Sequence, residues 1–383
     1  MRFLHTSDWH LGKMLKGRSR AQEHQAVLLE ILDVVRREKI DCVLVTGDIF
    51  DSPAPSPEAE QLAFNFFSEL RGLNVPAIVI GGNHDHPKRL LAIRNVLRFL
   101  DIHVRPEPVG PADGGVIEIS RNGETAKIGC LPFISVGKVA DAVKIMAPEG
   151  ERYEEYFSQV GQMCEILSSS FNRKSINLLL AHLYIEGGET SKSEREIHVA
   201  KPYAVSAQLL PTTAQYIALG HLHRPQELHA PSPTHYAGSI LQLDFGEQDQ
   251  QKRVVIIDAH PGRPATIENC PVAAGRRLRD ICGTVEELEA QADTFGDDYL
   301  RVTINAEQRL PGIAARIHEL LPNALDIHYA DSLKEAEEAI EIAGTDPREL
   351  FGSFYKSQEG SDPAEALLKL FDTLYEESLN ASD

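Results

Sequence analysis

Short apolar runs alternate with longer amphipathic stretches through the first half of the chain. Phe3-Leu4-His5-Thr6-Ser7, Cys42-Val43-Leu44-Val45-Thr46 and Val75-Pro76-Ala77-Ile78-Val79-Ile80 have the length and texture of buried β-strands. Between the first two, Val27, Leu28, Ile31, Leu32 and Val35 recur at helical spacing, which predicts a helix over about 21–38. Between the second and third, Pro57 and Glu58 open a helix whose Leu62, Phe64, Phe66, Phe67 and Leu70 supply core. A β-α-β-α-β start of this kind predicts a parallel, buried sheet. Short strands are expected at 102–104, 116–119 and 126–131, a long helix near 152–170, and further strands ending at His182 and Gly220. The last core strands are expected around 236–239 and 253–258, and residues 185–200, polar and carrying Gly187-Gly188, read as a mobile loop.

The texture changes near Pro261-Gly262-Arg263-Pro264. Strands at 277–282, 299–305 and 325–330, with helices at 285–294 and 311–320, form a second β-α-β-α-β unit, small for an independent domain. Two tail helices start alike, at Asp346-Pro347-Arg348-Glu349 and Asp362-Pro363-Ala364-Glu365, each with Asp at N-cap, Pro at N1 and Glu at N3. The expected divisions are 1–270, 271–335 and a helical tail at 336–383. The tail's stripe of Leu367, Leu368, Phe371, Leu374 and Tyr375 either packs on the protein's own body or docks on a partner.

At 383 residues, 42% apolar and 25% charged, the chain has the composition of a soluble protein of two or three domains. Met1 leads directly into the first strand, which leaves no room for a signal peptide, and no apolar run approaches a membrane span. The five cysteines (Cys42, Cys130, Cys164, Cys270, Cys282) are odd in number and free of CxxC spacing, so reduced thiols in the cytoplasm are expected. The net charge of −19 argues against a nucleic-acid partner. Residues 331–383 hold 14 of the 57 acids against 4 Lys or Arg, however, so the tail concentrates much of that charge.

Chemistry gathers where the strands stop. The five apolar runs lead into Asp8-Trp9-His10, Gly47-Asp48, Gly81-Gly82-Asn83-His84-Asp85, His182 and Gly220-His221-Leu222-His223. Parallel α/β sheets place ligands at the carboxyl ends of strands, so these donors are expected at one edge. Residues i and i+2 of a strand share a side, which would let Asp8 and His10 grip one ion. Phosphodiester hydrolysis needs charge neutralised and water activated, and two divalent ions sharing a bridging carboxylate do both. Asp48 is the expected bridge, and mixed nitrogen and oxygen donors suit Mn, Fe or Zn.

The ordered set D-x-H, G-D, G-N-H-D, H and G-H-x-H resembles the calcineurin-like metallophosphoesterase family. Ser-Asp-Trp-His-Leu-Gly at 7–12, Gly-Asp-Ile-Phe-Asp at 47–51, Ala-Leu-Gly-His-Leu-His-Arg-Pro-Gln at 218–226 and Tyr-Ala-Gly-Ser at 236–239 are similar to its bacterial SbcD branch of DNA repair nuclease subunits. The resemblance implies an α/β sandwich of β-sheets flanked by helices, with a small α+β capping domain and C-terminal helices. It implies that one ion takes Asp8, His10, Asp48 and His223, and the other Asp48, Asn83, His182 and His221. It makes His84 the group that protonates or stabilises the leaving oxygen, with Asp85 orienting it. It further implies manganese, or magnesium in its place, and 3′→5′ exonuclease action on duplex DNA with endonuclease action on single strands and hairpins. The partners implied are DNA, an ABC-type ATPase (SbcC) held by the tail and a second copy within the complex, in the cytoplasm at the nucleoid, with roles in repair, recombination and replication. Archaeal and eukaryotic members carry His where this chain has Asp51, which leaves the role of Asp51 open.

Other candidates read more plainly. His86 is expected as a solvated loop residue, His5 as a core histidine and Trp9 as a wedge under the ligand loop. Lys13, Lys16, Arg18 and Arg20 form a basic cluster that is either solvated surface or a set of DNA phosphate contacts. The competing function is hydrolysis of small phosphodiesters or nucleotides.

Overall fold

A computed structural model describes residues 1–146, 155–191, 193–305, 312–330, 346–359 and 363–381. Contacts divide the chain into two units. The first comprises Met1–Lys13, Ser19–Leu241 and Gln250–Gly275; the second comprises Met14–Arg18, Gln242–Asp249 and Arg276–Asp383. Two short segments of the first 270 residues therefore belong with the later unit, an interleaving that consecutive reading of the sequence does not reveal.

In chain order the first strands are β1 (Arg2–Thr6), β2 (Met14–Leu15), β3 (Arg18–Ser19), β4 (Cys42–Val45), β5 (Ala77–Ile80) and β6 (Ile102–Arg105). They are followed by β7 (Val116–Arg121), β8 (Glu124–Leu131), β9 (Ile176–His182), β10 (Tyr216–Gly220), β11 (Gln226–Leu228), β12 (Thr234–Tyr236), β13 (Arg253–Asp258) and β14 (Thr266–Pro271). Twelve of these make two six-stranded sheets, ordered β14-β13-β1-β4-β5-β6 and β11-β12-β10-β9-β8-β7. β1, β4, β5 and β6 run parallel, as do β8, β9, β10 and β12. The remaining strands attach antiparallel at the flanks, which makes both sheets mixed.

Phe3, Leu44, Ile78 and Ile80 of the first sheet share one core with Ile128, Leu178, Leu180 and Ala218 of the second. Helices α1 (Ala21–Arg37), α2 (Pro57–Gly72) and α3 (Pro87–Phe99) connect strands of the first sheet. The apolar stripe of α1 is buried as its spacing predicts, and α2 is capped by Ser56, whose hydroxyl accepts from the Ala59 amide at 3.2 Å. Helices α4 (Val139–Met146) and α5 (Tyr156–Ser168) pack with the other face of the second sheet through Val143, Val160 and Leu167. The amino-terminal part of the helix expected at 152–170 lies outside the described residues.

The later unit holds β15 (Leu278–Gly283), β16 (Tyr299–Ile304) and β17 (Ala324–Tyr329) in one parallel sheet, with α6 (Val285–Gln291) and α7 (Ile313–Leu320). Leu288, Leu300, Val302, Ile304 and Ile317 form its core, and Thr284 with Glu287 closes a capping box on α6. The tail folds as α8 (Pro347–Glu359) and α9 (Glu365–Ala381). Asp346 caps the first through the Arg348 amide at 2.9 Å, while Asp362 lies outside the described residues. Phe351 stacks on Phe371 with ring centroids 4.4 Å apart, and Arg348 reaches Asp372 and Glu365 at 2.8 Å.

Candidate metal centre

Register brings the donors level. Thr6 lies opposite Val45 and Val45 opposite Val79 in the first sheet, and His182 lies opposite Gly220 in the second. Asp8 and His10 follow β1, Asp48 follows β4, Asn83 follows β5, His182 ends β9, and His221 and His223 follow β10. All seven are buried, and all belong to the first unit.

The turns that bring them inward are left-handed. Asp8, His10, Asp48 and His221 have φ of 50, 47, 50 and 105°, a region that costs a residue with a side chain about 1–3 kcal/mol. Asp8 and His10 therefore converge through backbone turns beyond the strand, which corrects the expectation that strand alternation places them. Two glycines permit the approach. A Cβ on Gly47 would collide with His182 Nδ1, and one on Gly82 would collide with Asp48 Oδ1.

Each imidazole is gripped from outside. His182 Nδ1 donates to the Thr46 carbonyl at 2.7 Å and His221 Nε2 donates to the His198 carbonyl at 3.1 Å. His10 Nδ1 donates to the Asp51 carboxylate at 3.2 Å, and Ser193 Oγ lies 2.7 Å from His223 Nδ1. Carbonyls only accept, so in the neutral rings of His182 and His221 the inner nitrogens carry lone pairs. Those nitrogens face an acceptor: Asn83 Oδ1 is 2.9 Å from His182 Nε2 and 2.8 Å from His221 Nδ1. His10 Nε2 and His223 Nε2 face each other at 3.1 Å. Carboxylates, an amide oxygen and imidazole nitrogens thus converge on one buried volume, where a cation would give their lone pairs a common partner. The donor set fits divalent metal.

Asp48 sits among these rings. Its Oδ2 is 3.4 Å from His182 Nε2 and 3.7 Å from His10 Nε2, while Oδ1 accepts the His84 amide at 2.8 Å. Burial opposes its ionisation, and the surrounding imidazoles overcome burial and hold it well below the usual carboxylate range. Burial likewise lowers the His182 pKa, but Asp48 outweighs it and brings the value up to about 9. The centre favours positive charge. Donor atoms of Asp8, His10 and His223, of Asp8, Asp48 and His182, and of His10, Asp48 and His84 lie within 4.8 Å of one another in each group. Asn83 joins His182 to His221, whose amide donates to Asp8 at 3.1 Å.

His84 donates through Nδ1 to the Asp51 carbonyl at 2.7 Å. Burial lowers its pKa to about 3, so the ring is neutral and presents Nε2 as an acceptor. Asp85 does not orient this ring as expected. Its carboxylate accepts from the amides of Gly82, Ile49 and Phe50 at 2.9, 3.3 and 3.2 Å, joining the Asp48 turn to the Asn83 turn. Burial and neighbouring Asp48 raise its pKa to about 6.

The basic cluster separates. Lys13 pairs with Asp51 at 3.2 Å, beside the centre. Lys16 pairs with Asp326 and Arg18 lies over the Tyr299 ring, both within the later unit. Arg20 is buried with its guanidinium on Glu23 at 2.6 Å, which removes it from the expected phosphate contacts. Trp9 is also buried, edge-on to Phe66 at 5.0 Å, and His5 bonds Tyr216 and Thr46 in the core. His86 is exposed.

Several supports escaped the sequence. Thr46 and His198 act through carbonyls, which have no side-chain signature. Ser193 and Glu194 lie in the segment read as a mobile loop; Glu194 accepts the His223 amide at 2.9 Å, and Ile185 bridges Val205. Phe133 stands against His198, His221 and His182 at 4.8–6.2 Å between ring centroids.

The calcineurin-like phosphoesterase family matches residues 1–225, and the type 5 capsule protein repressor C-terminal domain matches residues 274–359. The SbcD subunit of nuclease SbcCD from Bacillus subtilis is 34% identical over 381 residues, covering 97% of each chain. Its namesake from Staphylococcus epidermidis is 28% identical over 361 residues, covering 93% of each. Among solved structures, a dimetal phosphatase from Danio rerio aligns with a TM-score of 0.45 at 12% identity, over 71% of this chain and 96% of that one. The chain belongs to the SbcD nuclease subunits of the calcineurin-like phosphoesterase family and is a metal-dependent phosphodiester hydrolase.

Proposed function

We propose that the chain cuts DNA as a 3′→5′ exonuclease on duplex and an endonuclease on single strands and hairpins, using two manganese ions and an SbcC-type ATPase partner. The reading rests on the inward-facing nitrogens of His182 and His221 around Asn83 Oδ1, with Asp48 among the rings. Asp8, His10, Asp48 and His223 would hold one ion, and Asp48, Asn83, His182 and His221 the other. Two such ions neutralise charge on the phosphate oxygens and lower the pKa of attacking water.

The chain's own residues supply the rest. Thr46, His198 and Asp51 fix the ring orientations, so little reorganisation accompanies substrate binding. Phe133 walls one side of the rings against water. His84, anchored through Nδ1, keeps Nε2 free at the centre, where it would hand on to the leaving oxygen the proton that the attacking water gives up. Asp85 is a positioning residue, holding the turns that carry Asp48 and Asn83.

The relatives are named as one component of a larger nuclease, which supports a partner. The tail offers Leu350, Phe354, Leu370 and Leu374 as exposed apolar side chains for it. On α3, Val96 and Phe99 are 64% and 83% exposed and would suit a second copy of the chain. No helix among the described residues is long and apolar enough to cross a membrane, and we assign the protein to the cytoplasm, where its DNA lies.

Metal titration of wild type and Asp48→Asn, followed by cutting of a labelled duplex with and without the ATPase partner, tests this reading. Two manganese ions per chain, with metal binding and cutting both lost in the variant, would support it. Hydrolysis confined to small phosphodiesters, even with the partner present, would replace it with the competing function.

A further inference from the structure

Helix α3 carries Lys88, Arg89, Arg94 and Arg98 and no acidic residue, in a chain of net charge −19. Arg89 is engaged by Glu60 at 2.6 Å. Arg94 and Arg98, one turn apart, are exposed and have no ion pair among the described residues. With Arg105, His103, Asn95 and Asp113 they line a cavity of about 210 Å³. Arg105 is fastened by the carbonyls of Val104 at 2.9 Å and Gly114 at 2.5 Å. Desolvation disfavours its charge first, and Arg94 and Arg98 add to that. Among the described residues Asp113 is the only carboxylate lining the cavity, and His103 is already bonded to Asp101 at 3.2 Å. Three arginines and one aspartate in the lining leave an excess of positive charge that an oxyanion would balance, and the planar fork of Arg suits phosphate oxygens.

The place of the cavity in the fold narrows the anion. Arg105 ends β6, the edge strand beside β5, and its carbonyl accepts the Gly81 amide at 3.1 Å. The next residues of that β5 turn are Gly82, Asn83 and His84, and α3 begins three residues after His84. Lys88 and Arg98 are separated by about 15 Å of helix rise. The helix that begins beside the His84 turn therefore brings its last turns to the cavity.

Building on the nuclease reading, we propose that the Arg94–Arg98–Arg105 cavity is an accessory phosphate site. It takes a backbone phosphate of the DNA strand whose scissile phosphate lies at the metal centre. Arg94 and Arg98 grip it from the helix and Arg105 from the edge strand.

The test uses the full chain carrying Arg94→Gln and Arg98→Gln together, both exposed positions, with an unchanged melting midpoint as the control for folding. Binding of a labelled hairpin duplex is measured in EDTA across a salt series, beside manganese-dependent cutting by the wild type. The site predicts a loss of affinity of roughly five- to tenfold at moderate salt, and a fall of about 1 in the slope of log K against log salt. Wild-type affinity and slope in the variant, while the wild type cuts DNA, would overturn the site and leave the nuclease reading intact. If the wild type neither binds nor cuts DNA, both fail. Should the variant lose only the binding of added inorganic phosphate, with DNA binding unchanged, the cavity serves a free anion and the DNA assignment is wrong.

Discussion

The centre depends on residues whose side chains are not ligands. Gly82 is one: a methyl group there collides with Asp48 Oδ1. Gly82→Ala is expected to fold and to lose metal affinity by an order of magnitude or more, which isothermal titration with manganese would show. Wild-type affinity would mean that the Asp48 turn can shift without cost. Ser193 is another, through its contact with His223 Nδ1 at 2.7 Å. Removing a group that orients a ligand ring costs roughly 10–100-fold in metal affinity, so Ser193→Ala should weaken manganese binding while Ser193→Thr retains most of it. The motifs made the donors readable because Asp, His and Asn after apolar runs are visible in a sequence. Thr46 and His198 are not readable because their carbonyls do the orienting, and adjacency to His84 points Asp85 at that ring because the three amides on Asp85 meet it only in the fold.

Strands and helices followed the apolar periodicity where burial is complete. β4, β5 and β9 are buried throughout, and their runs of Val, Leu and Ile announce them. β11 and β14 escaped notice because they are flank strands with partly exposed patterns and little apolar content. Segments 14–18 and 242–249 joined the later unit because Leu15 and Phe245 complete a small core with Leu278 and Tyr299. That grouping depends on contacts distant in sequence. The tail is the element with a testable outward face. Leu370 and Leu374 are 52% and 55% exposed on α9, one turn apart. Replacing both with Asp should abolish capture by the proposed ATPase partner while leaving metal content unchanged; capture at wild-type strength would place that partner elsewhere.

Charge and burial together set how the folded protein responds to acid. His5 and His24 are buried and are not among the ligands; desolvation lowers their pKa values to about 3 and about 4. Both are lowered from 6.5, so their neutral forms cost nothing above that value. As pH falls below 6.5 the unfolded chain takes up protons that the folded one refuses, and stability declines toward pH 4. Each contributes roughly 3 kcal/mol to that decline, a large share of a typical 5–15 kcal/mol. In metal-free buffer, His24→Gln should flatten the fall in urea midpoint between pH 6.5 and 4.5; a fall as steep as that of the wild type would assign acid sensitivity to other groups.

The two-metal nuclease centre is tested most directly by manganese-dependent cutting of a labelled hairpin duplex by wild type and His84→Ala, with bound metal quantified in both. Cutting by the wild type, reduced roughly 10²–10⁴-fold in the variant while both retain two ions, is the predicted result. Equal cutting by both proteins would contradict it, because the proton would then move without His84.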